Sequence, residues 1–446
     1  MTTMTGLTET LARFIHERTL RDLPDGAIDK AKKTIADTCA VILAGSVSEL
    51  AQPLLRYVER SGERGNAPVF GTSRTASPEV AALVNGTFGH ALDFDDVLSM
   101  MPGHPSAVIL AALCAAPGHR KLPGSRLIEA YALGIEVGGK IGLGISVGHY
   151  HRGFHGTGTL GIFSALAALA KLQALDSETT RRAFGIASSM ASGLQRNFGT
   201  MTKPLHTGWA ARSALAAMQL ADCGFTAAPD VLEAKAGFFA AYGVEQSDTG
   251  VTAAHLGAPW VLLDPGIALK KFPCCYACHR GMDALLELKR RHRFAARDVE
   301  RLECRMPPGG MRVLAYPRPR TGLEGKFSLE YALAAGALDD KYSLWTFTDE
   351  AVQRPQIAAL LAQVVAREDA RCTGDDPLFE SRSPGSRGFV EVELTLRNGK
   401  RDTARVDRPP GHPSRELSWD DMEAKFTDCA RHARFPLDRA HDAFRL

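Results

Sequence analysis

The feature that most constrains this chain is a change in the period of its apolar residues. Over about the first 260 residues they recur every three to four positions, the helical period, and beyond about residue 265 stretches with period two appear. Ile28, Ala31, Ile35, Cys39 and Ile42 form one such helical stripe, which Gly45 ends. Similar runs occupy roughly 8–18, 78–92, 105–116, 125–140, 159–173, 178–192 and 208–222. Past the switch, Val299-Glu-Arg-Leu-Glu-Cys-Arg-Met alternates as a half-buried strand does, and Phe389–Leu396 followed by Arg-Asn-Gly-Lys predicts a strand entering a tight hairpin turn. Helices are expected at 280–293, 326–340 and 348–367; Pro409-Pro-Gly-His-Pro413 breaks the chain, and 418–433 returns to the helical period. The expected fold is therefore mainly α. A large all-helical domain would cover 1–265, with 410–446 packing back onto it, and a smaller α+β lid domain would cover 266–409.

Composition narrows the function classes. A chain of 446 residues with 45% hydrophobic and 23% charged side chains has the balance of a folded globular protein with ample core. The formal charge of +3 is spread along the chain, which gives no footprint for nucleic acid or a membrane surface. The longest apolar run, Ala107 to Ala116, is about half of the ~20 residues a membrane span requires, and the first residues lack the basic and apolar regions of a secretory signal. A cytoplasmic location is expected, and the nine cysteines then read as reduced thiols.

Four clusters offer chemistry. Cys275-Tyr-Ala-Cys278-His279 matches the spacing of covalent haem attachment, but that attachment belongs to exported proteins. Zinc fits poorly too, because Cys274, Cys275, Cys278 and His279 fall within six residues, whereas structural zinc takes two separated ligand pairs. The acidic cluster His90-Ala-Leu-Asp93-Phe-Asp95-Asp96-Val97 precedes Gly103-His104-Pro-Ser106; if 82–96 is helical, His90 and Asp93 share a face. The stretch His149-Tyr-His151-Arg-Gly-Phe-His155-Gly-Thr-Gly-Thr-Leu-Gly161 contains a G-x-G-x-x-G run, yet no strand precedes it, so it predicts a glycine-rich helix entry near Thr159 and not a dinucleotide site. Such an entry suits a substrate carboxylate or close helix packing. Near the start of another helix, Lys203, His206 and Arg212 offer cations for an anionic substrate or for the surface. No G-x-S-x-G, P-loop or convincing metal set is present, and the assortment of acids, imidazoles and cations fits proton transfer on a small polycarboxylate. Lys171, at a helix end outside these clusters, is expected to be replaceable without effect.

The segments HALDFDDV, GHPSAVILAA, FHGTGTLGIFSALAALAKL, NFGTMTKPLHTGWAARSA, KKFPCCYACH, EGKFSLEYALAAG and GHPSRELSWDDMEAKF, in this order, resemble the MmgE/PrpD family. The resemblance implies a helical domain with an α+β lid, a homodimer, and no metal or organic cofactor. It implies an active cleft between the domains, with Asp93, His104, His155 and Lys203 in catalysis and Lys271, Cys275, Tyr316 and His206 binding substrate. The implied reaction is abstraction of a proton α to a carboxylate of a small di- or tricarboxylate. A lyase, dehydratase or decarboxylase, comes first; an epimerase acting on an amino-dicarboxylate such as iminodisuccinate comes second, and an inactive carboxylate-binding homologue third. Val97 and Cys275 stand where the decarboxylase branch carries Thr and His, and TMTKPLHTG with the Cys-Tyr-Ala block is more similar to the epimerase-like branch.

Overall fold

The computed structural model describes residues 6–118, 121–375, 379, 382–383 and 385–445. The protein is mainly helical, with a smaller α+β portion. It divides into two compact units: 6–196, 202–269 and 418–445 form the first, and 197–201 with 270–417 form the second.

In the first unit the helices Pro78–His90, Pro105–Ala115 and Gly161–Leu172 are apolar on nearly every side, and a helix of that kind is stable only when surrounded. From Val80 to His90 every residue is buried. Ser77 caps this helix with Pro78 at its first position. Helix Thr202–Asp222 packs against it most closely at two glycines: a Cβ on Gly86 would lie 2.8 Å from the Gly208 Cα, and one on Gly208 would collide with the Leu83 carbonyl. Gly208 lies five residues after Lys203, and Gly86 four before His90. At about 1.5 Å of rise per residue, two helices touching at these glycines in opposite directions place Lys203 beside the end of Pro78–His90. Helix Trp419–His432, opened by the Ser418–Asp421 capping box, packs on helix Ala27–Gly45 within the same unit. Helix Ala51–Ser61 was not expected.

The second unit holds a four-stranded sheet in the order Val364–Glu368, Val299–Met306, Val390–Leu396, Arg401–Val406. The first pair is parallel and the other two are antiparallel. The hairpin turns at Asn398-Gly399, where Gly399 has φ 83°, a conformation that glycine adopts without Cβ strain. The expected helix over 348–367 is instead two short helical pieces, Asp349–Val352 and Pro355–Leu361, followed by the strand. Pro355 starts the second piece at its first position, and Val364-Val365 favours the extended chain.

Lys171 corrects another expectation. It is 8% exposed, its ammonium donates to the carbonyls of Arg18 and His16, and it lies 3.6 Å from Glu129. It ties helix Gly161–Leu172 to the chain after helix Leu7–Glu17, so it is a structural lysine and not a neutral surface position. Among the described residues no helix is long and apolar enough to cross a membrane.

Candidate active site

Helix Pro78–His90 ends at His90, and the acidic segment that follows is irregular. The expectation that His90 and Asp93 share a helical face therefore fails: Asp93 takes φ 49°, a left-handed conformation that aspartate tolerates better than most residues. This turn sends Asp93 and Asp95 to different partners. Asp95 faces the His90 Nδ1 at 2.8 and 2.9 Å through its two oxygens, and Asp93 Oδ2 lies 2.7 Å from the Lys203 ammonium. Asp93 and Lys203 are both buried, at 3% and 4% exposure.

His104 follows after a bridge between Leu98 and Gly103 that folds the chain back. Its Nδ1 lies 2.6 Å from the Asp96 carbonyl and 3.8 Å from Asp95 Oδ1. A carbonyl can only accept, so Nδ1 carries the proton and Nε2 is left as the basic nitrogen. At 12% side-chain exposure His104 is more open than the fully covered His90 ring. Its backbone N–H donates to Thr157 Oγ1 at 3.0 Å, and the same hydroxyl lies 2.9 Å from His155 Nε2. His155 Nδ1 faces His206 Nδ1 at 3.0 Å, an arrangement in which the two rings share one proton. Burial and then the Lys203 charge push His155 well below the ordinary imidazole range, and the same two causes bring His206 down to about 4. Both rings are neutral at working pH.

The Asp96 carboxyl points away from the imidazoles into the core. Ser106 Oγ lies 2.6 Å from its Oδ2, and Tyr131 OH lies 2.7 Å from the same serine oxygen. Burial, followed by repulsion from Asp95, raises Asp96 to about 8. Asp96 thus carries a proton at neutral pH.

The structure brings together Asp93, His104, His155, Lys203 and His206 of the expected residues, and adds His90, Asp95, Asp96, Thr157 and Ser106. The ring centroids of His90 and His104 are 4.3 Å apart, and His155 lies 5.9 and 6.1 Å from them. Lys271, Cys275 and Tyr316 belong to the second unit. There Lys271 is exposed and Lys270 is fully buried. Cys275 is half-buried, and its N–H donates to the Lys326 carbonyl at 3.0 Å. Tyr316 donates to the Phe198 carbonyl at 2.8 Å, and its ring fills the space beside Gly199.

Other members of the sequence clusters are structural. His149 is held by the Tyr242 carbonyl at 2.8 Å and Thr159 at 2.7 Å, and Arg212 lies 3.8 Å from Glu63. A Cβ on Gly156 would strike the Met101 carbonyl and one on Gly158 the Ser192 carbonyl, so these glycines serve close backbone packing.

The metal question takes a different form here from the one the sequence posed. Among the described residues, ligand atoms converge in two sets, His90 with His104 and His155, and His90 with Asp93, Asp95 and His104, each within 4.8 Å. The cysteines contribute to neither. Nitrogen and carboxylate donors at this separation are metal-ligand chemistry, but the Lys203 ammonium on Asp93 already supplies the positive charge there, and both nitrogens of His155 are engaged.

Buried imidazoles, carboxylates and a lysine gathered in one helical unit are the side-chain types that acid–base chemistry uses. The chain belongs to the MmgE/PrpD family: the family's N-terminal domain matches residues 9–249 and its C-terminal domain matches residues 272–442. It is 30% identical over 434 residues to the cis-aconitate decarboxylase of Mus musculus, covering 94% of this chain and 86% of that one. The Homo sapiens enzyme of the same name is 30% identical over 434 residues, covering 94% and 87%. The Aspergillus terreus cis-aconitate decarboxylase is 25% identical over 429 residues, covering 91% and 86%. These relatives support an enzyme of the lyase type.

Proposed function

We propose that this protein is a lyase that moves a proton at the carbon next to a carboxylate of a small di- or tricarboxylate, with cis-aconitate the first substrate to test. The observation that carries the reading is the Lys203–Asp93 pair buried beside neutral imidazoles. Removing a proton, or CO₂, from such a substrate leaves an electron pair on carbon beside existing negative charge. A fixed ammonium in a poorly hydrated pocket stabilises that charge as it forms. Asp93 then orients Lys203; a carboxylate held against an ammonium is a weak base, so the proton-carrying role passes to His104. Its Nδ1 is fixed on the Asp96 carbonyl and its Nε2 is the basic atom. In a decarboxylation the broken C–C bond releases CO₂ and the carbon takes up a proton, so His104 enters that step with Nε2 protonated. In a dehydration Nε2 starts as the base that takes the proton from carbon, and a second proton, drawn from solvent, leaves with the hydroxide as water. The reaction as written takes all its charge stabilisation from side chains and needs no metal or organic cofactor. We propose a homodimer as the working form.

The likeness of TMTKPLHTG with the Cys-Tyr-Ala block to the epimerase-like branch motivates a second reading as an epimerase, which returns the proton to the opposite face. Incubation of the purified protein in deuterium oxide with cis-aconitate, 2-methylcitrate, citrate and iminodisuccinate separates these outcomes. Loss of CO₂ or water supports the lyase, deuterium uptake with inversion supports the epimerase, and no reaction or exchange with any acid sinks both.

A further inference from the structure

The acidic segment 91–97 has to hold three buried aspartates without helix or strand ladders, and it is reached from an unexpected place. Lys425 sits on helix Trp419–His432, more than 300 residues away in sequence. Only 8% exposed, it sends its ammonium inward. The Nζ donates to the Phe94 carbonyl at 2.8 Å, lies 2.7 Å from Asp37 Oδ1 on helix Ala27–Gly45, and stands 3.8 Å from the Phe94 ring centroid. Phe94 is the residue between Asp93, which holds Lys203, and Asp95, which holds His90. Fixing the Phe94 carbonyl fixes the Phe94–Asp95 peptide plane, which carries the Cα of Asp95 at one end and at the other the Cα of Phe94, next in the chain to Asp93. Asp37 is also among the negative charges that raise Asp96, and Lys425 neutralises it.

We infer that Lys425 is a positioning residue for the acid–base cluster: from the C-terminal helix it clamps the Phe94 peptide so that Asp93 and Asp95 meet Lys203 and His90 together. This rests on the reading of that cluster as the reacting centre. Asp37 is the counter-charge that allows an ammonium to be buried there, and the clamp is the hydrogen bond to Phe94. The two contributions separate in a set of variants. Lys425→Met takes the ammonium away from buried Asp37 and frees the peptide, so it lowers both melting temperature and kcat. Adding Asp37→Asn removes the buried negative charge, so the double variant regains thermal stability but not turnover.

The experiment is a comparison of wild type, Lys425→Met and the Asp37→Asn/Lys425→Met double variant, all as full chains. Steady-state kinetics on the acid that reacts is measured beside ¹⁵N NMR of the histidine rings. The expected result is a loss of about 10- to 100-fold in kcat in the double variant, as misplacement of catalytic groups produces, with KM within about twofold. The His90 and His104 ring signals move in that variant while its melting temperature stays near wild type. Recovery of kcat in step with melting temperature, or ring signals identical to wild type in the double variant, overturns the inference. If the single variant does not fold, the double variant carries the test. If wild type reacts with none of the acids, the functional reading falls and the ring signals alone decide whether Lys425 sets the cluster's geometry.

Discussion

Asp96 offers a test whose size can be worked from its surroundings. Its carboxyl is buried, bonded to Ser106 and close to Asp95, and is raised from 3.8 to about 8. In the unfolded chain the same group ionises near 3.8. Between these values the folded state holds a proton that the unfolded state has released, so stability falls as pH rises through this window and levels off above about 8. The contribution is fully present below about pH 4. Each pH unit inside the window is worth about 1.4 kcal/mol at most, so from pH 5 to pH 8 the cost approaches about 4 kcal/mol. Asp96→Asn removes the titration and keeps a group that can accept from the Ser106 N–H and donate to its hydroxyl. The His104 anchor survives, because it is the backbone carbonyl of residue 96. The assay is thermal unfolding by calorimetry at pH 5, 6, 7 and 8 for both proteins. Wild type should lose ground to Asp96→Asn steadily as pH rises. A difference that stays constant across the range, or that grows in favour of wild type, refutes the protonated Asp96.

Three further outcomes are expected. His104→Ala and His155→Ala should each lower kcat by about 10²–10⁴-fold, the usual contribution of an acid–base residue, with melting temperatures near wild type; loss of activity only in step with unfolding would make them structural. Lys203→Met takes the ammonium away from buried Asp93 and should cost about 3–5 kcal/mol in stability while lowering kcat and raising KM, a combination read by kinetics beside denaturant unfolding. Prolonged dialysis against chelator should leave activity unchanged; activity that vanishes and returns with zinc, iron or magnesium would instead assign the His90, His104 and Asp95 donors to a metal.

How much of this was legible in the sequence depends on the range of the interactions involved. The helical period and the Arg-Asn-Gly-Lys turn are local signals, and the helices from Leu7–Glu17 to Thr202–Asp222, Ala51–Ser61 apart among the longer ones, and the Val390–Val406 hairpin follow from them. Strand Val364–Glu368 was missed because its burial alternates weakly and a helix runs almost directly into it. At the site, motif order drew attention to His104, His155 and Lys203, but the local periodicity argument paired His90 with Asp93 when the partner is Asp95. That error has a definite cause: the helix stops at His90, and with Asp93 in a left-handed conformation the helical spacing no longer says which side chains share a face. Such a turn is held by distant groups, Lys203 on one side and Lys425 on the other, and no window of neighbouring residues contains them. Which of Lys270 and Lys271 is buried is likewise set by tertiary packing, because two adjacent lysines are equivalent in composition. A buried charge is costly to keep unless its partners are fixed in advance. The residues hardest to read from sequence are therefore those whose geometry depends most on the completed fold, and Asp93, Asp95 and Asp96 acquire three different partners only once that fold is in place.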